Sequence, residues 1–170
     1  MVNNRLIIED AEIQIEHKSC TDAQCYQDKG IYIESISCHN NTLSKITFNQ
    51  HLVVYLYWEF HSCAKLVEIL YVPETEVLFL GCDKLSAQVD VSNNRLINAN
   101  DVDLFWGLER HKQFILETGE LQCFLYDLNG KLISSTSVDP PYEMEMNQDG
   151  IKFTSIVLGT TWLKYGDRSS

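Results

Sequence analysis

Histidine and cysteine side chains near the amino terminus are the residues whose types could bind a metal ion. The set consists of His17, Cys20 and Cys25, followed by Cys38 and His39. A structural zinc site needs four such ligands, and its strongest sign is a pair of cysteines separated by two residues. The sequence has no such pair. We therefore interpret these residues as parts of loops and of the core, and we predict neither a metal ion nor a cofactor.

Residues that could act as catalysts are also present, but their arrangement is not specific. His61 and Cys63 lie two positions apart on a predicted strand end, and so on one face, without a third residue that would orient them. Carboxylate pairs suited to acid and base catalysis occur twice, at Asp101 with Asp103 and at Glu143 with Glu145. A solvated strand or loop face explains each pair better. The sequence therefore favours a protein that is not an enzyme, without deciding the matter.

The segment from Asp101 to Lys112 is the least ordinary stretch, because Phe105 and Trp106 interrupt a dense run of charged residues. An exposed Trp106 would be an anchor typical of protein interfaces, with acidic residues around it to attract a basic partner. A buried Trp106 would be a plug between two hairpins, and burial is the interpretation we favour. We predict one acidic face with an aromatic residue at its margin, formed by Asp101, Asp103, Trp106, Asp139, Tyr142 and Glu143.

Composition limits the classes of partner. The chain of 170 residues has 13 Lys and Arg against 24 Asp and Glu, a formal net charge of −11, which would repel a nucleic-acid backbone. The amino terminus lacks the features of a secretory signal, and no stretch is apolar enough to span a membrane. The six cysteines are dilute in a chain with a full-sized core, so we interpret them as reduced thiols. We predict a cytoplasmic protein that binds neither nucleic acid nor a membrane.

The elements that must position these residues are predicted to be strands. Apolar and polar residues alternate over Ala11 to His17, and Ile31 to Ser37 begins in the same way. The most apolar run, His51 to Phe60, predicts a central strand whose second face, Val53, Tyr55 and Tyr57, must be covered. Further strands are predicted at Leu43 to Phe48, Ala64 to Val72, Val77 to Gly81 and Phe114 to Glu117, and a last hairpin at Glu143 to Met146 and Ile151 to Leu158. Asn98 to Lys112 is interpreted as one short helix or a structured loop.

One stretch occurs twice. Leu85 to Ile97 and Leu121 to Ile133 align without a gap at an offset of 36 residues, with tight turns at Asn93-Asn94 and Asn129-Gly130. Asn-Gly is a strong hairpin signal, so each copy predicts a β-hairpin. The fold prediction is a single all-β domain over residues 1–170, either an antiparallel sandwich or a curved meander. It contains two blade-like hairpin repeats at about 77–97 and 114–133, and a frayed tail begins at about residue 165.

These repeats carry a family resemblance. Two stretches resemble β-propeller blades of the quinoprotein type. The first is VLFLG from Val77 to Gly81 followed by LSAQVDVSNNRL, and the second is LQCFLYDLNGKL followed by DPPY. The second unit also resembles the second blade-like unit of small uncharacterised bacterial proteins that carry only two such repeats, and the likeness runs from Val77 to Tyr142. A closed propeller needs roughly four or more blades, so two copies imply no closed ring and no quinoprotein cofactor.

The sequence therefore supports two classes of function. The first is a non-enzymatic acidic protein-binding module with a basic protein partner, of which a toxin-neutralising immunity protein is one version. The alternative is a β-sheet domain that binds a small ligand or performs hydrolysis in a cleft between sheets. A concave apolar pocket with a few converging polar groups would favour the alternative, and an acidic surface bearing Trp106 or Tyr142 would favour the first class.

Overall fold

The protein is all-β, as predicted. The computed structural model describes residues 2–8, 11–19, 28–36, 39–59 and 67–166, and in these ranges the chain forms sixteen β-strands arranged in four sheets. In the same ranges there is no helix with the length and apolar character needed to cross a membrane.

The first sheet has the strand order β1-β2-β4-β5-β3 and is antiparallel except where β3 runs parallel to β5. Its strands are β1 (Val2–Ile8), β2 (Ala11–Ser19), β3 (Ile31–Glu34), β4 (Thr42–Phe48) and β5 (Leu52–Trp58). The predicted central strand is confirmed, because β5 lies between β4 and β3 and the side chains of Val54, Leu56 and Trp58 are at most 1% exposed.

The second face of β5 is covered, also as predicted. Tyr55 is buried, and its ring stacks on that of Tyr32 with a centroid separation of 4.7 Å. The Tyr55 hydroxyl donates a hydrogen bond of 3.2 Å to Oδ2 of Asp28. A Cβ atom added at Gly30 would lie 2.7 Å from the Tyr55 ring. The short loop before β3 is therefore part of what covers this aromatic face.

The remaining strands form three antiparallel meanders in chain order. The second sheet consists of β6 (Glu68–Val72), β7 (Val77–Cys82), β8 (Leu85–Asp90) and β9 (Arg95–Asp101). The third consists of β10 (Phe105–His111), β11 (Phe114–Gly119), β12 (Gln122–Asp127) and β13 (Leu132–Ser137). The fourth consists of β14 (Tyr142–Met146), β15 (Gly150–Ser155) and β16 (Gly159–Lys164).

These three meanders are copies of one unit with a period of 37 residues. Their first strands begin at residues 68, 105 and 142, and their third strands begin at residues 85, 122 and 159. Both predicted hairpins are confirmed, with turns at residues 91–94 and 128–131. The sequence revealed only two copies, and the fourth sheet is a third.

The predicted offset of 36 residues is wrong for the strands. It pairs Val89 with Leu125, yet Val89 packs in the core between the first and second sheets, whereas Leu125 packs between the third and fourth. Successive strand residues point to opposite faces, so a shift of one residue reverses every side chain. The offset of 36 holds only locally, for the bulge residues Ile97 and Ile133 and for the turn residues with positive φ, Asn94 and Gly130.

Two predicted elements are corrected by the structure. The stretch from Asn98 to Lys112 is not a helix or one loop, since it contains the end of β9 and the whole of β10. The predicted strand from Ile151 to Leu158 ends at Ser155, and residues 156–158 form the turn before β16. Some predictions lie outside the described residues: Ser37, Phe60, the beginning of the strand at Ala64, and residues 167–170 of the tail.

The four sheets pack face to face in chain order. One apolar core lies between the first and second sheets, one between the second and third, and one between the third and fourth. The second contact is close, because a Cβ atom added at Gly81 would lie 2.1 Å from the ring of Phe105. Meanders of up to four strands that pack one after another have the arrangement of β-propeller blades.

Candidate functional site

One end of the second, third and fourth sheets gathers the residues that the sequence singled out. This loop end carries the chain links 83–84, 102–104, 120–121, 138–141 and 156–158. Backbone hydrogen bonds of 2.9 to 3.0 Å join neighbouring links, from Val102 N to Lys84 O, from Glu120 N to Leu104 O and from Val138 N to Leu121 O. The first four links therefore form one connected surface, and link 156–158 lies at the same end of the fourth sheet. All six predicted site residues lie in these links or in the strand ends next to them.

Trp106 and Tyr142 are in direct contact at the loop end. Trp106 is the extra residue of a β-bulge in β10, since Phe105 pairs with Gly119 and Gly107 pairs with Thr118. Bulges commonly redirect a side chain. Its ring stacks on Tyr142 of the fourth sheet, with centroids 5.8 Å apart and planes inclined by 20°. Trp106 is thus partly buried on the fourth sheet and is not a plug between the two predicted hairpins.

Tyr142 is held from several sides. Its ring meets Phe153 edge to face at a centroid distance of 5.4 Å, and its hydroxyl lies 3.9 Å from the Cys123 sulfur. Burial raises the pKa of the Tyr142 hydroxyl and also that of the Cys123 thiol. Both groups are neutral near pH 7, so Cys123 is not an activated thiolate nucleophile. The pair suits a rigid aromatic contact surface better than covalent chemistry.

The predicted carboxylates differ in what they do. Asp101 Oδ1 accepts a hydrogen bond of 2.8 Å from the backbone N–H of Ile36, which joins β9 to the end of β3 in the first sheet. Asp101 therefore has a structural role. Asp103 and Glu143 are exposed, and Asp139 is partly exposed. Glu143 follows Tyr142 in β14, so its side chain lies on the opposite face of the fourth sheet.

Acidic residues outnumber basic ones at the loop end. The five links contain Asp83, Asp103, Glu120 and Asp139 against Lys84 alone, and Asp101 and Glu143 adjoin them. Asp83 is buried, while the other carboxylates are at least partly exposed. A surface with this balance has a negative potential that attracts cationic groups over roughly a Debye length, about 8 Å at physiological salt.

A buried polar group between the second and third sheets was not predicted. Ser86 and Gln88 of β8 face Glu117 of β11 and Tyr126 of β12, and all four side chains are at most 1% exposed. The Tyr126 hydroxyl accepts a hydrogen bond of 3.0 Å from Nδ2 of Asn100. Among the described residues, the Ser86 hydroxyl, the Gln88 amide and both Glu117 oxygens have no hydrogen-bond partner of normal geometry.

Burial controls the ionisation of this group. Loss of solvation raises the pKa of the Glu117 carboxyl to about 7, and the nearby Ser86 hydroxyl lowers it only in part. The pKa of Tyr126 is raised by burial, and by the Glu117 charge in addition. The only sign of this group in the sequence is a charged residue in a predicted strand, Glu117, directly after the apolar residues Phe114 to Leu116. Its partners become evident only when the sheets are packed.

Among the described residues, two concave pockets lie at the opposite end of the sheets. The larger has a volume of about 670 Å³ and is lined by Lys112, Gln113, Phe114, Ile133 and Tyr165. The smaller, of about 290 Å³, lies between the first and second sheets and is lined in part by Phe48, Tyr71 and Asn94. Neither pocket includes a predicted site residue.

Only some of the possible metal ligands lie within the described residues. Cys20, Cys25, Cys38, His61 and Cys63 lie outside the described residues. His17 lies within them, and its Nδ1 is 2.8 Å from the Ser44 hydroxyl. In the described part of the chain, no three His, Cys, Asp or Glu side chains are grouped as metal ligands. Cys82 and Cys123 are buried free thiols.

Comparison with known proteins gives a likeness of fold only. No family model matches the chain, and no curated protein matches it. Solved structures that match include Hsv2 of Kluyveromyces lactis, at 14% identity and a TM-score of 0.38, over 72% of this chain and 40% of that one. Hsv2 of Kluyveromyces marxianus matches at 15% identity and a TM-score of 0.38, over 75% and 43%. This chain spans about two fifths of their length, and likeness at this level assigns no family.

Proposed function

We propose that the protein is a non-enzymatic binding module whose loop end binds a basic protein. The observation that carries this proposal is the placement of the six predicted residues at one end of the sheets, where Trp106 stacks on Tyr142 and Asp103, Asp139 and Glu143 are at least partly exposed. Interfaces commonly combine an aromatic anchor with a charged rim, and the rim accelerates encounter with a partner of opposite charge. Neutralisation of a basic toxin by an immunity protein is one function that would use such a surface.

The test begins with affinity purification from native lysate and identification of the protein that co-elutes. Association and dissociation rates of that protein are then measured between about 0.05 M and about 0.5 M NaCl, a range over which screening increases severalfold. We expect the association rate to fall as salt rises, because exposed charges act mainly on encounter.

Charge reversal locates the surface. Glu143→Lys at the loop end should slow association, while Asp149→Lys, an exposed acidic residue in the turn at the opposite end, is the charge-matched control. Trp106→Ala should mainly speed dissociation, since anchor residues act on the lifetime of a complex. Equal effects of Glu143→Lys and Asp149→Lys, or binding that does not respond to salt, would refute the loop end as the binding surface.

A second candidate function is binding of a small ligand at the opposite end. The observation that favours it is the pocket of about 670 Å³, which is lined by Lys112 and by the rings of Phe114 and Tyr165, whose centroids are 4.9 Å apart. Such a pocket would accept an aromatic ligand with a negative group. Ligand-observed NMR with a small-molecule library, repeated on Phe114→Ala, distinguishes this function from binding at the loop end.

A further inference from the structure

The turn between β15 and β16 presents three consecutive apolar side chains to solvent. Ile156 is 90% exposed, Val157 is 74% exposed and Leu158 is 46% exposed. Soluble proteins expose isolated apolar residues commonly, but a contiguous exposed run at the tip of a hairpin marks an interaction site. We call residues 156–158 the apolar tip.

The apolar tip is an ordered hairpin turn. Ser155 pairs with Gly159 across the hairpin, and the Ser155 hydroxyl accepts a hydrogen bond of 3.1 Å from the backbone N–H of Leu158. Gly159 has a φ of 69°, which a residue with a side chain adopts only at a cost. Turns of this kind are usually built from Gly, Asn, Asp, Ser and Pro. The backbone thus requires Gly159, but it does not require Ile156, Val157 or Leu158.

The apolar tip adjoins the aromatic pair of the loop end. Ser155, the residue before the tip, pairs directly with Tyr142 in the register of β14 and β15. Tyr142 stacks on Trp106, and Leu121, which is 45% exposed, lies on the neighbouring link. Exposed apolar side chains of the tip and of Leu121 therefore lie at the same end of the sheets as the Trp106–Tyr142 pair and the exposed carboxylates of the loop end.

Charge decides which occupant this surface fits. A second copy of the chain would bring two acidic borders together, at a net charge of −11 for each copy. An anionic lipid surface would be repelled for the same reason, since membrane association of such a segment gains from basic residues. A protein with Lys and Arg around an apolar depression complements both parts of the surface.

We propose that the apolar tip is the hot spot of the loop end, and that Ile156 and Val157 enter an apolar depression framed by basic residues on a partner protein. This inference rests on the proposed function, because it adds a second anchor, beside Trp106, to the same surface. Hot spots lie in well-packed pockets where the side chain becomes fully desolvated, while the charged rim around them contributes mainly to the rate of encounter.

The test uses short random peptides displayed on phage and selected against the immobilised protein. We expect enriched peptides to combine apolar or aromatic residues with Lys and Arg.

The affinity of one synthetic enriched peptide is then measured for the wild type and for Ile156→Asp/Val157→Asp. Leu132→Asp is the matched control, because Leu132 is 46% exposed and lies next to a turn at the opposite end. The double variant should weaken binding at least about 30-fold, which corresponds to about 2 kcal/mol, and the control should not. Equal melting temperatures of the two variants exclude unfolding as the cause.

Four results would contradict the inference, and each assigns the apolar tip or the acidic surface differently. If the peptide binds the double variant as well as it binds the wild type but is lost with Glu143→Lys, the acidic surface functions without the tip. If enriched peptides are acidic or absent, the proposed function fails together with the tip. Co-sedimentation of the wild type, but not of the double variant, with phosphatidylcholine and phosphatidylserine vesicles would assign the tip to membranes. A dimer in sedimentation velocity that the double variant abolishes would assign it to a second copy.

Discussion

Replacing Glu117 with glutamine removes a buried group whose ionisation opposes folding at neutral pH. Its pKa is near 4.5 in the unfolded chain and is raised to about 7 in the folded protein, mainly because burial removes the solvent that stabilises the carboxylate. The folded state therefore holds the proton more tightly. The contribution of Glu117 to stability is fully retained below pH 4.5 and is lost as the pH rises through about 7.

The size of the effect follows from the shift. Between the two pKa values the free energy of unfolding falls by about 1.4 kcal/mol for each pH unit, so the loss attributable to Glu117 is about 3 kcal/mol once both states are ionised. This is a large share of the roughly 5–15 kcal/mol that stabilises a typical domain. Burial and the nearby Glu117 charge both raise the pKa values of Tyr126 and Cys123, so these two groups stay neutral over this pH range.

Urea denaturation followed by tryptophan fluorescence at several values between about pH 5 and about pH 8 measures the effect. Relative to the wild type, Glu117→Gln should gain about 2 to 3 kcal/mol across that interval, because glutamine does not titrate. Glu143→Gln, the same change at an exposed position of the fourth sheet, is the matched control. Parallel profiles for Glu117→Gln and the wild type would refute the reasoning, and would mean that the carboxylate is solvated or paired in the folded protein.

Three further substitutions test the fold by the same denaturation assay. Trp58→Ala should cost about 3 to 5 kcal/mol, because the indole is completely buried in the first sheet, and a change below about 0.5 kcal/mol would contradict its central position. Gly81→Ala should cost about 1 to 3 kcal/mol, since the added methyl group would lie 2.1 Å from the Phe105 ring, and an unchanged midpoint would show that the sheets separate readily. Asp101→Ala should cost about 1 kcal/mol through loss of the hydrogen bond from Ile36, so unchanged stability would remove its structural role.

Alternation and turn chemistry predicted most strands, because both act locally. The run from Leu52 to Trp58 is apolar on both faces and forms an inner strand, and the turns after Asp90 and Asp127 are where the sequence placed them. In each of those turns an aspartate side chain accepts backbone hydrogen bonds, from Asn93 N at 3.0 Å and from Asn129 N at 2.9 Å. Signals of this kind need no knowledge of distant residues.

The error of one residue in the repeat has a physical cause. The clearest sequence matches between the two copies lie in the turns at residues 91–94 and 128–131. The residue with positive φ is the fourth residue of the first turn, Asn94, but the third residue of the second turn, Gly130. Aligning the turns therefore misaligns the strands. The face that a strand buries is decided by the neighbouring sheet, so Val89 and Leu125 could be assigned to opposite faces only when the packing was known.

The third copy escaped detection because the repeated stretch covers the third strand, the turn and the start of the fourth strand of a meander, and among the described residues the fourth sheet has only three strands. Its turn at residues 156–158 also contains no Gly, Asn, Asp, Ser or Pro. The text from Ile151 to Leu158 has the apolar and β-branched composition of a strand, and it predicted one strand where the chain in fact reverses at residues 156–158. That misassignment is informative about function. The turn consists of residue types that favour strands, and Ser155 and Gly159 stabilise its two ends. The three side chains between them therefore do not stabilise the turn. Side chains that folding does not need and that solvent does not favour are best explained by a contact with another molecule.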